Sequence, residues 1–486
     1  MKFPSAICTR ISFLVSLFAC FHIQAQEQAY FPDPDTVIQR RLEEWQDLKF
    51  GLLMHWGTYS QWGIVESWSI CPEDLGWASG ARKKGIADNY NDYVIAYEKL
   101  KNTFNPTKFD PDKWAEAAAD AGMKYLVFTT KHHDGFCMFD SKYTDYKITD
   151  KDCPFSVHPR SNIAKNVFNA FRKQNFWIGA YFSKPDWHSN YYWWKHFPAV
   201  DRNCNYSIRK HPDRWELFKE FTHNQIDELM SDYGKMDILW LDGGWVRPKT
   251  DEEVLDQLTE IYDNSRWARN PQSQDIDMAS IVEKARAKQP ELIVVDRAVP
   301  GVHQNYLTPE QHIPDSGLPY PWETCMTMAG SWSYVPNDRY KPTEELIKKL
   351  VDIVSKGGNY LLNIGPSPEG EFDPAAYQRL KEIGEWMKTN GEAIYGTRMY
   401  DVFGEAENIR FTQSKDHKVQ YVFFFEFPEN GRVPLNKIPF AKNRKLTMLG
   451  SDARVTWVAK GDGAEIQLPQ KAKDAGKYVW VVKISG

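Results

Sequence analysis

Asp242 stands at the end of the apolar run Ile238-Leu239-Trp240-Leu241 and is followed at once by Gly243 and Gly244. A short, nearly continuous apolar run is the mark of a strand covered on both faces, and a carboxylate at its C-terminal end sits at the mouth of a parallel sheet. The two glycines turn the chain sharply and keep bulky side chains away, so a partner can come close to the carboxyl. The plainer reading is an aspartate that caps the next turn. A second carboxylate, Glu323, stands in Pro321-Trp322-Glu323-Thr324-Cys325-Met326. Among aromatic and apolar neighbours its pKa should rise, which suits an acid that must hold its proton. Imidazoles close other apolar runs: His55 in Phe50-Gly51-Leu52-Leu53-Met54-His55-Trp56-Gly57, and His132-His133 ahead of Asp134-Gly135-Phe136. Adjacent histidines on a strand face opposite sides, so both reach one ligand only where the chain bends, and Gly135 allows the bend. Each neutral imidazole can both donate and accept, which suits sugar hydroxyls, although a structural contact is the plainer role for any one of them. Tyr181 ends the run Gly179-Ala180-Tyr181, and Arg297 follows Val294-Val295-Asp296. An arginine beside Asp242 would keep it anionic, as a nucleophile requires. Two carboxylates at strand ends, ringed by His, Trp, Tyr and Arg, are what cleavage of a glycosidic bond asks for: one attacks and the other donates a proton.

The elements that must carry these residues alternate along the chain. Strands are expected over Phe50 to Trp56, Lys124 to Thr130, Phe176 to Phe182, Asp237 to Leu241, Glu291 to Asp296, the Trp322 region and Asn359 to Ile364. Helices are expected between them. Pro111 to Gly122 is Ala-rich and ends at glycine; Pro212 to Tyr233 sets Trp215, Phe218, Ile226 and Leu229 on one side; Thr343 to Ser355 and Pro374 to Thr389 continue the pattern. Pro342 and Pro374 mark helix starts. Seven strands in this rhythm predict an α/β fold, a (β/α)₈-like barrel with one strand unread or a degenerate barrel. A doubly wound sheet is the weaker alternative, since no Gly-x-Gly-x-x-Gly loop follows the early strands. The barrel is expected over 26–398. From about Tyr400 the texture becomes short alternating runs, Tyr421 to Phe425, Lys445 to Leu449, Val455 to Val458, Glu465 to Leu468 and Tyr478 to Ile484. Turns such as Glu429-Asn430-Gly431 and Gly461-Asp462-Gly463 separate them, which predicts a β-sandwich over 399–486 packed on the barrel, with an accessory sugar-binding role as a secondary expectation.

Lys2 and Arg10 precede the apolar run Ile11 to Ile23, too short to span a membrane as a helix. It reads as an export signal over 1–25 cleaved after Ala25, and implies a periplasmic or extracellular protein. Leu17-Phe18-Ala19-Cys20 offers the alternative of acylation at Cys20. A formal net charge of -5 over 486 residues supplies no basic field of the kind nucleic acid requires. Nineteen Trp and twenty-four Tyr suit stacking on sugar rings as well as cores. Beyond the signal the cysteines are Cys71, Cys137, Cys153, Cys204 and Cys325, an odd number without paired Cys-x-x-Cys spacing, so neither a zinc site nor a disulfide is expected.

The motifs Phe-Gly-x-x-x-His-Trp-Gly (50–57), Lys-His-His-Asp-Gly-Phe (131–136), Trp-Leu-Asp-Gly (240–243), Trp-Glu-Thr-Cys (322–325), Ser-Trp-Ser-Tyr (331–334) and Leu-Leu-Asn-Ile-Gly-Pro (361–366) occur in order along nearly the whole mature chain. Together they resemble the α-L-fucosidases of glycoside hydrolase family 29. The resemblance implies a barrel followed by a β-sandwich, a retaining mechanism, Asp242 as nucleophile, Glu323 as acid/base and no cofactor. It also implies a pocket for the terminal sugar lined by His55, Trp68, His132, His133, Tyr181 and Arg297, with Glu66 and Trp332 as further sugar contacts. The chain departs from the family at Glu66-Ser67-Trp68-Ser69, where members commonly read Glu-Trp-Tyr, and at Ser333, where Gly is common. The first departure leaves Glu66 as a second candidate acid. Asp74 to Asp88 and Trp187 to Cys204 read as long loops near the mouth that would shape recognition of the next sugar.

The expectation is therefore a secreted retaining exo-α-L-fucosidase acting on glycans. L-galactose, which is L-fucose with a hydroxyl added at C6, is the alternative sugar. A non-catalytic sugar-binding protein is the competing class, and a metal-dependent hydrolase using the histidines is a third reading, to be seen as activity lost with a chelator.

Overall fold

The computed structural model describes residues 29–72, 82–263, 270–441 and 443–486. The export segment, Cys20 included, lies outside these residues, as does part of the stretch Asp74 to Asp88.

Seven parallel strands, β1 (Phe50–Met54), β2 (Tyr125–Lys131), β3 (Trp177–Ser183), β4 (Ile238–Asp242), β5 (Ile293–Asp296), β6 (Glu323–Thr327) and β7 (Asn359–Ile364), form a curled sheet in the order β5-β4-β3-β2-β1-β7-β6. Each expected run falls on one of them. Their side chains alternate between two environments, as strand geometry demands. Leu53, Tyr125, Val127, Tyr181, Ile238, Trp240, Cys325 and Leu361 turn into the barrel, while Leu52, Met54, Leu126 and Phe128 join the core beneath the helices. Among the described residues no eighth strand closes the wall. Between β5 and β6 the chain makes isolated bridges, Val295 with Gln304, Leu307 with Trp322 and Glu310 with Cys325, so the barrel is a degenerate one.

The helices lie where the alternation requires them: α1 (Thr36–Leu48) before β1, α2 (Tyr90–Glu98) and α3 (Pro111–Asp120) before β2, and α4 (Ile163–Lys173) before β3. They continue with α5 (Pro212–Asp232) before β4, α6 (Asp251–Asp263) and α7 (Met278–Lys288) before β5, α8 (Thr343–Ser355) before β7, and α9 (Pro374–Asn390) after it. Proline occupies the first turn of α3, α5 and α9, where its missing N–H costs no helical bond. Trp215, Phe218, Ile226 and Leu229 of α5 are all buried.

Eight antiparallel strands follow, in two sheets. β8 (Thr397–Glu405), β9 (Ile409–Ser414), β10 (Val419–Phe424), β12 (Lys445–Met448) and β15 (Trp480–Ser485) pair in the order β12-β15-β10-β9-β8. β11 (Arg432–Leu435), β13 (Thr456–Lys460) and β14 (Gly463–Gln467) form the second. Trp386 of α9 donates its indole N–H to the Val479 carbonyl at 2.9 Å, and Arg410 of β9 donates to Asp352 of α8 at 2.5 Å. No helix among the described residues is long and apolar enough to cross a membrane.

Candidate active site

The C-terminal ends of the parallel strands surround a pocket of about 180 Å³ whose lining includes His55, Glu66, Trp68, His132, His133, Tyr181, Asp242, Arg297 and Trp332. Pockets for drug-sized ligands run to about 300–1,000 Å³, so this one has room for a single sugar ring.

Asp242 closes β4. Its Oδ1 accepts from Arg297 Nη1 at 3.0 Å and from the Gly243 N–H at 2.8 Å, and its Oδ2 accepts from the Tyr181 hydroxyl at 2.7 Å. His133 Nε2 lies 3.8 Å from Oδ2. Burial alone would push this carboxyl up, but the Arg297 charge, His133 and the bonds from Tyr181 and Gly243 outweigh it and hold it well below the usual carboxylate range. The glycines serve this geometry. Gly243 has φ +90, and a Cβ there would stand 2.3 Å from Pro185; a Cβ on Gly244 would stand 2.9 Å from the Arg297 carbonyl. What approaches closely here is the protein itself, which packs the ends of β3 and β5 against the end of β4.

The three imidazoles are each fixed through Nδ1: His55 to Asn363 Oδ1 at 2.8 Å, His132 to Ser67 Oγ at 2.5 Å and His133 to Ser183 Oγ at 2.8 Å. Asn363 in turn donates to the Trp332 carbonyl at 2.7 Å, which orients its amide and makes His55 Nδ1 the donor. Burial lowers the pKa of His55 and of His133 to about 4 and takes His132 well below the usual value, so all three are neutral at neutral pH. His132 and His133 lie past the end of β2, in a turn closed by the Gly135 N–H on the His132 carbonyl at 3.0 Å, with Gly135 at φ +80. Their ring centres are 4.2 Å apart and both line the pocket.

Trp68 meets His133 edge-on at 5.3 Å, and Trp332 stands 5.2 Å from His55. Glu66 is 2 % exposed; its Oε1 accepts from the Ser333 N–H at 2.9 Å, and burial raises its pKa to about 8. Two of the hydroxyls that distinguish this chain, those of Ser67 and Ser333, are spent on structure. Ser67 Oγ binds His132 and the Asp134 N–H, Ser333 Oγ donates to the Ile64 carbonyl at 2.5 Å, and Ser67, Ser69 and Ser333 are all absent from the pocket wall.

Glu323 is not at the mouth. It begins β6 rather than ending it, is fully buried, and accepts from the Tyr125 hydroxyl at 2.6 Å and from the Trp240 indole at 3.3 Å. Burial raises its pKa to about 7, as its apolar surroundings predicted, but those surroundings are the interior of the barrel below the pocket floor. The carboxyl at the rim is Glu310, on the segment that closes the wall between β5 and β6; its side chain is 43 % exposed and receives the second arm of the Arg297 guanidinium. Sequence reasoning passed over Glu310 because Leu307-Thr308-Pro309-Glu310 has no strand or helix rhythm; its place in the connection after β5 was the available signal. Leu53, Trp240, Cys325, Arg202 and Trp245 also line the pocket. Arg202 lies over the rings of Trp68 and Trp245 in the Trp-rich segment expected to be a mouth loop.

His132, His133 and Asp242 bring donor atoms within 4.8 Å of one another, a spacing that could hold a metal ion. Asp242 already takes the Arg297 cation and two further donors, so a second cation there would meet a repelling charge and an occupied carboxylate.

Comparison with known proteins agrees with this arrangement. A family model for α-L-fucosidase matches residues 17–392, and one for the α-L-fucosidase C-terminal domain matches 405–485. The human tissue α-L-fucosidase is 29 % identical over 472 residues, covering 94 % of this chain and 92 % of that protein. Among solved structures, α-L-fucosidase isoenzyme 1 of Paenibacillus thiaminolyticus is 28 % identical with a TM-score of 0.72, covering 93 % of this chain and 99 % of its own. The Thermotoga maritima α-fucosidase, solved with a mechanism-based inhibitor, is 26 % identical with a TM-score of 0.71, covering 94 % and 100 %. A (β/α)₈-like barrel followed by a β-sandwich, with this pocket at its strand ends, is the architecture of a glycoside hydrolase, and the chain belongs to the α-L-fucosidase family.

Proposed function

We propose that the protein is an exported, retaining exo-α-L-fucosidase that removes terminal α-L-fucosyl groups from glycans, with Asp242 as nucleophile and Glu310 as acid/base. The observation that carries this reading is Arg297, whose two arms hold Asp242 and Glu310 at the mouth of a one-sugar pocket. Two carboxyls flanking one guanidinium suit the separation of about 5–5.5 Å that double displacement uses, with too little room for a water between them. Asp242 attacks the anomeric carbon as the glycosidic bond breaks. Glu310 gives its proton to the departing oxygen, then takes one from the water that releases the sugar. The acid must reach the glycosidic oxygen, which lies between the enclosed sugar and the solvent-side aglycone. Glu310 at the rim meets that requirement, whereas Glu66 is deep in the pocket and Glu323 is below it.

Glu66, His55, His132 and His133 offer bonds to the ring hydroxyls. The pocket wall supports fucose over L-galactose: Leu53, Cys325 and Trp332 give it an apolar face for a C6 methyl, and Ser67, Ser69 and Ser333 offer it no hydroxyl. An apolar wall discriminates against an added hydroxyl only weakly, so some turnover of aryl α-L-galactosides is expected beside a preference for aryl α-L-fucosides. The decisive experiment is labelling with a 2-fluoro-fucosyl fluoride followed by peptide mapping, together with NMR of the first-formed product. The label should sit on Asp242 and the product should keep the α-configuration; label elsewhere, or an inverted product, would sink the mechanism.

A further inference from the structure

Outside the barrel mouth, on the flank of β2 and β3, lies a groove of about 530 Å³ that the reaction does not use. Three chain segments build it: Tyr143 comes from the connection after β2, His188, Asn190 and Tyr191 from the connection after β3, and Phe221 from α5. Tyr143 is 46 % exposed and Tyr191 36 % exposed. Exposed rings gathered at one concave surface, rather than scattered singly, suit a ligand groove. The framework beneath them is fixed. The His188 ring stacks on Tyr146 at 4.1 Å and its Nδ1 is bonded to Glu98 at 2.8 Å. Asp186 is buried, pairs with Lys131 at 3.0 Å and accepts from the His188 and Ser189 N–H groups at 3.1 and 2.8 Å. Asn190 is held by Arg214 on its carbonyl and by the Lys195 N–H on its Oδ1, and its Nδ2 makes no bond to the described residues.

The chemistry of this lining selects a class of ligand. Tyrosine pairs a flat apolar face with a hydroxyl, the combination that stacks on a sugar ring and bonds to its rim. Lysine and aspartate side chains both line the groove and Asp186 is already paired, so no field of one sign favours an anion or a cation. Tyr191 meets Phe221 edge-on at 6.4 Å, but most of the remaining lining is polar or charged, unlike the continuous apolar centre that a protein interface requires. We propose that this groove is a second carbohydrate-binding site, which takes a neutral oligosaccharide by stacking its rings on Tyr143 and Tyr191. It is tied to the pocket by one segment of chain. Trp187 packs 5.2 Å from Trp68 and 5.2 Å from His133 in the pocket wall, and the next residue, His188, lines the groove. The inference rests on the glycosidase reading only for what the groove would hold, the glycan that bears the terminal sugar.

The test uses the full chain with its catalytic pocket saturated by fucose. A fucose-free N-acetyllactosamine tetrasaccharide is titrated by NMR, and retention on gels containing xyloglucan or galactomannan is measured alongside. The wild type should bind at least one of these three probes. Tyr143→Ala and Tyr191→Ala should each weaken that binding roughly tenfold, the scale of one lost ring contact, while kcat/KM on an aryl α-L-fucoside stays within about twofold because neither side chain touches the pocket. Binding of none of the probes, binding that fucose displaces, or binding that survives both substitutions would overturn the site. Wild-type protein that fails to cleave the aryl fucoside would instead overturn the proposed function and leave the titration readable.

Discussion

Three glutamates crowd the axis of the barrel, and their surroundings give them different work. Glu310 faces solvent at the rim, Glu66 is enclosed in the pocket wall, and Glu323 is sealed below the floor by Tyr125 and Trp240. Glu310→Ala should therefore cut hydrolysis of natural glycans by several orders of magnitude more than that of activated aryl fucosides, because only the former need a proton on the departing oxygen. Glu323→Ala should slow both alike and lower stability by about 1–3 kcal/mol per donor left unpaired, measured by denaturant unfolding. Leaving-group selectivity in Glu66→Ala instead would hand the acid role to Glu66. The pH behaviour separates the groups again. Glu66 releases its proton near 4.5 when unfolded and near 8 when folded, so its contribution to stability is full below 4.5 and is lost as pH rises through 8. His55 and His133 run the other way. Their folded values of about 4 lie below the ordinary 6.5, so the unfolded chain takes up protons first and stability falls as pH drops from 6.5 toward 4. Denaturant unfolding across pH should show stability falling as pH rises from about 4.5 to 8, and Glu66→Gln, which keeps the acceptor for Ser333, should remove that slope; a slope that persists would belong to another group.

At the level of elements, the end of β4 depends on a backbone conformation that only glycine tolerates beside a rigid neighbour. Gly243→Ala would place a methyl 2.3 Å from the Pro185 ring at φ +90, so Asp242 must shift. Displacement of a reacting group by about 1 Å costs on the order of 100-fold in rate. We expect kcat/KM to fall by that order in Gly243→Ala, while circular dichroism stays native. The strand that ends here was legible in the sequence, as were its six parallel neighbours, because buried parallel strands are apolar runs bounded by turns. His132 and His133 were legible as a pair because Gly135 signalled the turn. Glu323 was expected at a strand's end and opens β6 instead, for a reason of the same kind: apolar neighbours reveal burial but not depth, and a residue that opens a strand looks locally like one that closes it. Glu310 lay in a connection without periodicity, so only the closed barrel brings it to Arg297. In the C-terminal domain β8, β9 and β11 went unread, β8 because its mostly exposed and half-buried positions lack the buried apolar residues that marked β10 and β15.

For the whole molecule, the sandwich and the barrel share side chains of the same strands. On β10 and around β15, Tyr421, Phe423, Val479 and Val481 join the barrel's core, while the alternating Val422, Phe424, Val482 and Ile484 join the sandwich's own. Each of these strands is therefore half of two cores, and neither unit can open without exposing the other. Calorimetry should show one transition for both, monitored together by barrel tryptophans and sandwich secondary structure; two separated transitions would contradict this coupling. The barrel wall itself is unequal around its circumference. Asp242 is carried by a ladder bonded on both sides to β3 and β5, whereas Glu310 rides on a stretch tied by single bridges. On the proposed mechanism attack and departure would thus have different tolerances: the carboxylate that would meet a carbon is held in a strand paired on both sides, and the one that would follow leaving groups of varied shape is held by an arc that can yield without unzipping a strand.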